Sequence, residues 1–209
     1  LETVIAELSS ELNAPTVEEP ATDWSSVPLT RLADHILNAH HVFTKDQLKR
    51  IDNLLGKVLH AHGDRHGTTL NSLRSVFEAL RDELGAHLQK EEIILFPAIK
   101  AIDSYLSGRH QRLEIPCGSI AHPIRQMERE HEHAGEALVS LRKITEGYRL
   151  PSDACPTFAS LYGALQALEA DLHEHIHLEN NILFPSSLKQ EQEIAQRETD
   201  KRSRLCAEQ

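Results

Sequence analysis

HLQKEEIILFPAIK, residues 87–100, sets His87 and Glu91 four positions apart and follows them with an apolar run and a proline. HIHLENNILFP, residues 175–185, repeats the arrangement with His175 and Glu179. The His, the Glu, the Phe and the Pro are each offset by 88 residues. Positions four apart lie on one face of a helix, so each segment presents an imidazole and a carboxylate side by side.

Outward from these segments the apolar residues recur by alternating steps of three and four, the mark of amphipathic helices. A first helix, from about Leu29 to the breaker HGDRHG at 62–67, carries Leu37, His41, Thr44, Leu48, Ile51, Leu55, Val58 and His62 on one stripe. A second, from about Thr68 to Asp103, carries Leu70, Leu73, Phe77, Leu80, Leu84, His87, Glu91, Ile94 and Ala98. A third, from about Ser119 to Gly147, carries Ile120, Ile124, Met127, His131, Ala134, Leu138 and Leu141. A fourth, from about Pro156 to Leu188, carries Phe158, Leu161, Leu165, Leu168, Leu172, His175, Glu179 and Ile182. With no strand signal between them, these stripes predict an all-α, up-down four-helix bundle over residues 29–188. Residues 1–28 read as a short helix (1–12) and a linker punctuated by Pro15, Pro20 and Pro28, and residues 189–209 as a charged, weakly helical tail.

Every stripe is interrupted by a histidine. His41 and His131 are offset by 90, so the chain is two copies of one unit: a helix with a single His, then a helix with His-x-x-x-Glu. Burying an imidazole or a carboxylate among aliphatic side chains costs several kcal/mol unless it is paired or ligated. A lone stripe histidine is more often a satisfied core residue than a ligand; a duplicated set of four, two with Glu one turn on, is a metal site. The candidate ligands are His41, His87, Glu91, His131, His175 and Glu179.

Four imidazoles and two carboxylates suit a transition metal, whereas calcium and magnesium want oxygen. A single zinc needs only about four donors. Two six-coordinate ions offer roughly twelve positions, of which bridging carboxylates take four, the histidines four and an oxo or hydroxo bridge two. The expectation is a di-iron centre, two iron ions with about one open position each. Among the other histidines, His40, His173 and His177 fall off the seam. His35, His60, His66, His110, His122 and His133 lie near ends, in loops or off the seam. His62 continues its stripe but is too far from His41, and reads as lining an entrance or capping its helix. Glu83 and Glu130 are channel or supporting carboxylates if they are not simply solvated. Pro97 and Pro185 break or kink their helices just past the site.

Composition narrows the classes. Lys+Arg 22 against Asp+Glu 32 gives a net charge of −10, which argues against nucleic acid or an anionic membrane surface as partner. No apolar run approaches the roughly 20 residues needed to span a bilayer. Cys117, Cys155 and Cys206 form no CxxC pair, which points to a reducing compartment and rules out a disulfide scaffold or a thiolate zinc site of the CxxC kind. Aromatics make up 4% of the chain, so the core is mostly aliphatic.

DWSSVPL before the first helix, HLQKEEIILFPAIK, MEREHEHAGE and HIHLENNILFP resemble the hemerythrin-like (HHE) cation-binding proteins, most closely the iron–sulfur cluster repair di-iron family. The resemblance covers about Asp23 to Pro185 and places that family's six ligands on the residues chosen above. It implies a hemerythrin-like bundle and a cytosolic protein, made under nitrosative or oxidative stress, that helps restore damaged iron–sulfur clusters. Iron supply, or nitric oxide binding at open di-iron positions, is the implied route, with apo or damaged iron–sulfur proteins as clients. The alternative is a hemerythrin-type carrier or sensor of oxygen or nitric oxide without iron delivery; the residues leave open whether the protein is an enzyme. Members usually carry a small N-terminal domain with a Cys pair, of which residues 1–28 read as a remnant. Oxygen carriers place a further His four residues after the third-helix ligand and end on His-x-x-x-x-Asp; here position 135 is Gly and the last pair is His175-x-x-x-Glu179.

Overall fold

The computed structural model describes residues 22–109, 115 and 118–207, and among them there is no strand. The expected helix over 1–12 lies outside the described residues. The chain enters through a 3₁₀ turn, Trp24–Ser26, capped by Asp23, whose carboxylate accepts the Ser25 N–H at 3.1 Å. Six α-helices follow: α1 Leu29–Ile36, α2 Val42–Lys90, α3 Phe96–Leu106, α4 Ala121–Ile144, α5 Pro156–Leu178 and α6 Phe184–Ala207. Single π turns, Leu37–His41, Glu91–Leu95 and Glu179–Leu183, join α1 to α2, α2 to α3 and α5 to α6 without breaking the helical path.

The sequence predicts a loop at HGDRHG, and the structure corrects this. Helical hydrogen bonding runs from Val42 to Lys90, yet the chain doubles back within it. Arg81 Nη1 donates to Asp52 Oδ1 at 2.7 Å and His41 Nδ1 lies 2.9 Å from Glu92 Oε1. Along a straight helix the first pair would be about 43 Å apart. Both pairs are symmetric about His66–Gly67, which therefore mark the reversal. The result is an all-α bundle of antiparallel helical limbs. A second reversal, between α4 and α5, is an open loop: α4 ends where Glu146, Gly147 and Tyr148 take positive φ in succession, and α5 begins at Pro156, whose missing N–H costs nothing in a first turn.

Two apolar clusters fill the interior. One, around Leu55, Leu70, Phe77, Leu138, Phe158 and Leu165, packs toward the reversals. The other, around Leu32, Ile36, Phe96, Ile99, Ile124 and Phe184, packs toward the opposite end. The charged C-terminal segment belongs to the second: α6 continues through it, Ile194 is buried, and Glu191 accepts the Ile120 N–H at 2.9 Å, capping α4. It is therefore an anchored helix rather than a weakly helical tail. No described helix is long and apolar enough to cross a membrane.

Candidate metal centre

Between the two apolar clusters lies a polar layer. His41, His87, Glu91, His131, His175 and Glu179 are all buried, and the structure brings all six together. They form two overlapping sets of donors, His41–Glu91–His175–Glu179 and His87–Glu91–His131–Glu179, each with its donor atoms within 4.8 Å of one another. The two sets share both carboxylates. His41 Nε2 and His87 Nε2 each lie 3.4 Å from Glu91 Oε2. His131 Nε2 is 3.2 Å from Glu179 Oε2, and His175 Nε2 is 3.1 Å from Glu179 Oε1.

The π turns explain how the carboxylates reach this layer and why the apolar stripe changes face beyond them. Each carboxylate opens a π turn, and the Phe five residues on donates its N–H to the carbonyl of that Glu: Phe96 to Glu91, Phe184 to Glu179. Pro97 and Pro185 follow directly. A proline clashes with the carbonyl four residues back, and the wider turn lets the helix pass it, so the expected breaks do not occur. One extra residue in a turn rotates everything downstream by about 100°. Hence the predicted inward Ile94 is 46% exposed, while Leu95 and Phe96 are buried. Leu183 and Phe184 are buried in the same way where Ile182 was expected. The π turn Leu37–His41 shifts the first limb too, and buries His40 beside His41.

Outer partners aim the imidazoles. Nδ1 of His41 lies 2.9 Å from Glu92, that of His131 2.9 Å from Asn180, and that of His87 2.9 Å from Glu130. Such contacts fix the tautomer and direct Nε2 inward. Glu92 and Asn180 are related by the repeat, each following a shared carboxylate. The remaining imidazole, His175, has no partner on Nδ1 among the described residues; His40 stacks on it with ring centroids 5.5 Å apart, and His40 Nδ1 lies 2.9 Å from Asp171. His40 and Asp171 were missed in the sequence because the π turn hides the inward position of His40. His173 and His177 are exposed, as their phase predicts.

The layer is electrostatically tense. Burial and the neighbouring His175 push the His41 imidazole down to about 4, and burial and His131 do the same to His87. His131 is raised: burial opposes its charge, but the Glu179 carboxylate against it prevails. Burial and the proximity of Glu179 push Glu91 well up, whereas Glu179 is held low, against its burial, by His175 and His131. Both oxygens of Glu91 and Nε2 of His41 are buried without a hydrogen-bond partner. Buried polar atoms without partners are rare and costly, and shared cations would satisfy these. The donor chemistry therefore fits metal binding, with Glu91 and Glu179 common to both donor sets.

A cavity of about 240 Å³ opens onto the layer, lined by His87, His131, His175, Lys90, Glu83 and Glu130 among others. Glu130 holds Lys90 and Gln126 as well as His87; these bonds outweigh its partial burial and keep its carboxyl at about 2. It is thus an anion at the mouth of the site.

Residues 32–186 match the Hemerythrin HHE cation binding domain. The chain belongs to the hemerythrin HHE family. Among its relatives, the iron-sulfur cluster repair protein YtfE of Yersinia pseudotuberculosis is 36% identical over 186 residues, 88% of this chain and 77% of that protein. YtfE of Escherichia coli is 37% identical over 177 residues, 84% of this chain and 74% of its own length. A probable iron-sulfur cluster repair protein of Haemophilus influenzae is 35% identical over 181 residues, 87% of this chain and 75% of its own. Cation binding is the property in the family's name, and the buried His/Glu layer could hold a metal.

Proposed function

We propose that this hemerythrin HHE protein is a cytoplasmic, non-haem two-iron protein that serves the repair of iron–sulfur clusters damaged by nitrosative or oxidative stress. The observation that carries the proposal is the pair of donor sets sharing Glu91 and Glu179, in a chain whose relatives are named for iron–sulfur cluster repair. His41, His87, Glu91, His131, His175 and Glu179 would hold the iron, which would supply open coordination positions for nitric oxide or dioxygen species and serve as cargo for apo or damaged iron–sulfur proteins.

The chain's own residues set the terms of that exchange. Glu92, Asn180 and Glu130 hold three of the imidazoles in the orientation that points Nε2 inward. Glu83 and Glu130 make the cavity mouth acidic, which favours the passage of cations, and Lys90 tempers the charge of Glu130. The apolar clusters on either side exclude water from the rest of the layer.

The test is reactivation of an iron–sulfur dehydratase inactivated by nitric oxide. Iron-loaded protein restores its activity, and a His131→Ala/Glu179→Ala variant does not; equal recovery with both overturns the repair reading. Reversible gas binding with no iron loss to a chelator or an apo-protein would replace it with a carrier or sensor.

A further inference from the structure

We propose that His62, His66, Asp153 and Cys155 form a separate, mononuclear site for a divalent ion of the zinc class, at the end of the bundle where the chain reverses. His62 and His66 stand one turn apart on α2, just before the bend, and face the loop that leads into α5. Donor atoms of His62, His66 and Asp153 lie within 4.8 Å of one another. Cys155 stands beside the set, its Sγ 3.2 Å from His62 Nε2 but not within 4.8 Å of all three other donors, so its side chain must turn inward to serve as a fourth ligand; His66 Nε2 lies 2.9 Å from Asp153 Oδ1. His62 is 21 residues from His41, about 31 Å along the helix, so this cluster is no extension of the His/Glu layer.

The surroundings are those of a built site. Phe158 packs edge-on against both imidazoles, with centroids 5.3 Å from His62 and 5.9 Å from His66, and so restrains the rings. Arg65 donates to Asp153 Oδ2 at 2.8 Å, which orients the carboxylate and leaves Oδ1 turned to His66. Cys155 is a free thiol that shares a hydrogen bond with His62.

Two imidazoles, a carboxylate and a thiolate make a tetrahedral set for zinc or a similar borderline ion, and a poor one for calcium or magnesium. Around zinc, with bonds of about 2.0–2.3 Å, neighbouring donors sit about 3.3–3.6 Å apart. The His62–Cys155 and His66–Asp153 separations are a few tenths of an ångström shorter, as befits direct hydrogen bonds. An ion entering the cluster replaces those bonding protons, opens these two pairs slightly and draws the remaining donors, Cys155 above all, in toward it. Once held, it ties the bend in α2 to the loop before α5.

Cobalt(II) is the probe, added to protein whose His/Glu layer is already filled with iron. We expect one additional equivalent to bind, with the visible bands of tetrahedral cobalt and a near-ultraviolet thiolate-to-cobalt band, and zinc to displace it. Cys155→Ser should abolish the thiolate band, and Asp153→Asn or His62→Ala should weaken uptake about tenfold or more, the range that loss of even an outer partner brings. Iron content and far-ultraviolet circular dichroism of the variants, unchanged, show that the fold and the first centre are intact. No extra equivalent, or a spectrum identical in wild type and Cys155→Ser, overturns the proposal. Iron content reports on the other centre independently, so failure here leaves the repair reading standing.

Discussion

Glu130 lies 2.9 Å from Nδ1 of His87, and no described residue does the same for His175, the counterpart of His87 in the second repeat. The repeat puts His40 where Glu130 would stand, and His40 is turned to Asp171 instead. The two donor sets are therefore unequal. In one, both imidazoles, His87 and His131, are anchored; in the other, His41 is anchored and His175 is not.

Iron should consequently leave in two phases when a chelator is added to the loaded protein. Loss of an outer partner typically weakens metal affinity by about 10–100-fold, so the ion served by His41 and His175 departs first. Asn180→Ala, which frees Nδ1 of His131, should bring the phases together. A single phase in the parent protein would show that the anchors do not set release.

The shared carboxylates should matter more than any one imidazole. Losing Glu91 or Glu179 removes donors from both sets, whereas losing His41 affects one. Glu91→Gln and Glu179→Gln should each retain less iron per chain than His41→Gln, measured on purified protein. Equal retention in the three variants contradicts bridging.

Metal-free Glu91 is pushed up by burial and by Glu179, so loading must expel its proton. Metal uptake in weakly buffered solution should acidify the medium, and Glu91→Gln should release fewer protons per ion bound. No difference between the two would place the proton elsewhere.

Acid should unsettle the metal-free protein through His87. Its unfolded imidazole titrates near about 6.5 and its folded one near about 4. Between those values the unfolded state binds the extra proton, so this group's contribution falls as pH is lowered through the window. His131 and Glu91 are shifted the other way, so the informative quantity is a difference. The stability of metal-free His87→Gln relative to the parent should improve from pH 6.5 to pH 4 by on the order of 3 kcal/mol. A constant difference in chemical denaturation would mean that His87 is hydrated.

Gly135 lies one turn beyond His131, and a Cβ built on it meets nothing within 4 Å. Close helix packing is therefore not the reason for glycine there. Gly135→Ala should stabilise α4 by about 0.5–1 kcal/mol and leave nitric oxide binding and iron release unchanged. Gly135→His should slow both if the space leads to an open metal position. Equal losses in the two variants would refute that route.

The site was legible in the sequence because burying His and Glu inside aliphatic stripes has few explanations, and duplication multiplies the signal. The all-α bundle was legible for the same periodic reason. Periodicity failed at Ile94, Ile182 and His40, since a π turn shifts phase without leaving a composition signal. It failed at residues 62–67, where glycines suggested a loop but the backbone turns without surrendering helical bonds. The His62–Cys155 cluster was invisible because two of its members come from an irregular loop, whose position no spacing rule gives.

Each donor set takes two residues from each repeat: His41 and Glu91 with His175 and Glu179, or His87 and Glu91 with His131 and Glu179. Neither repeat alone encloses a complete set. Two copies of one repeat, related by a twofold axis, would enclose both. A chain of half this length would thus have to pair with a second copy of itself to form either set, and any ion held there would tie the two repeats to each other.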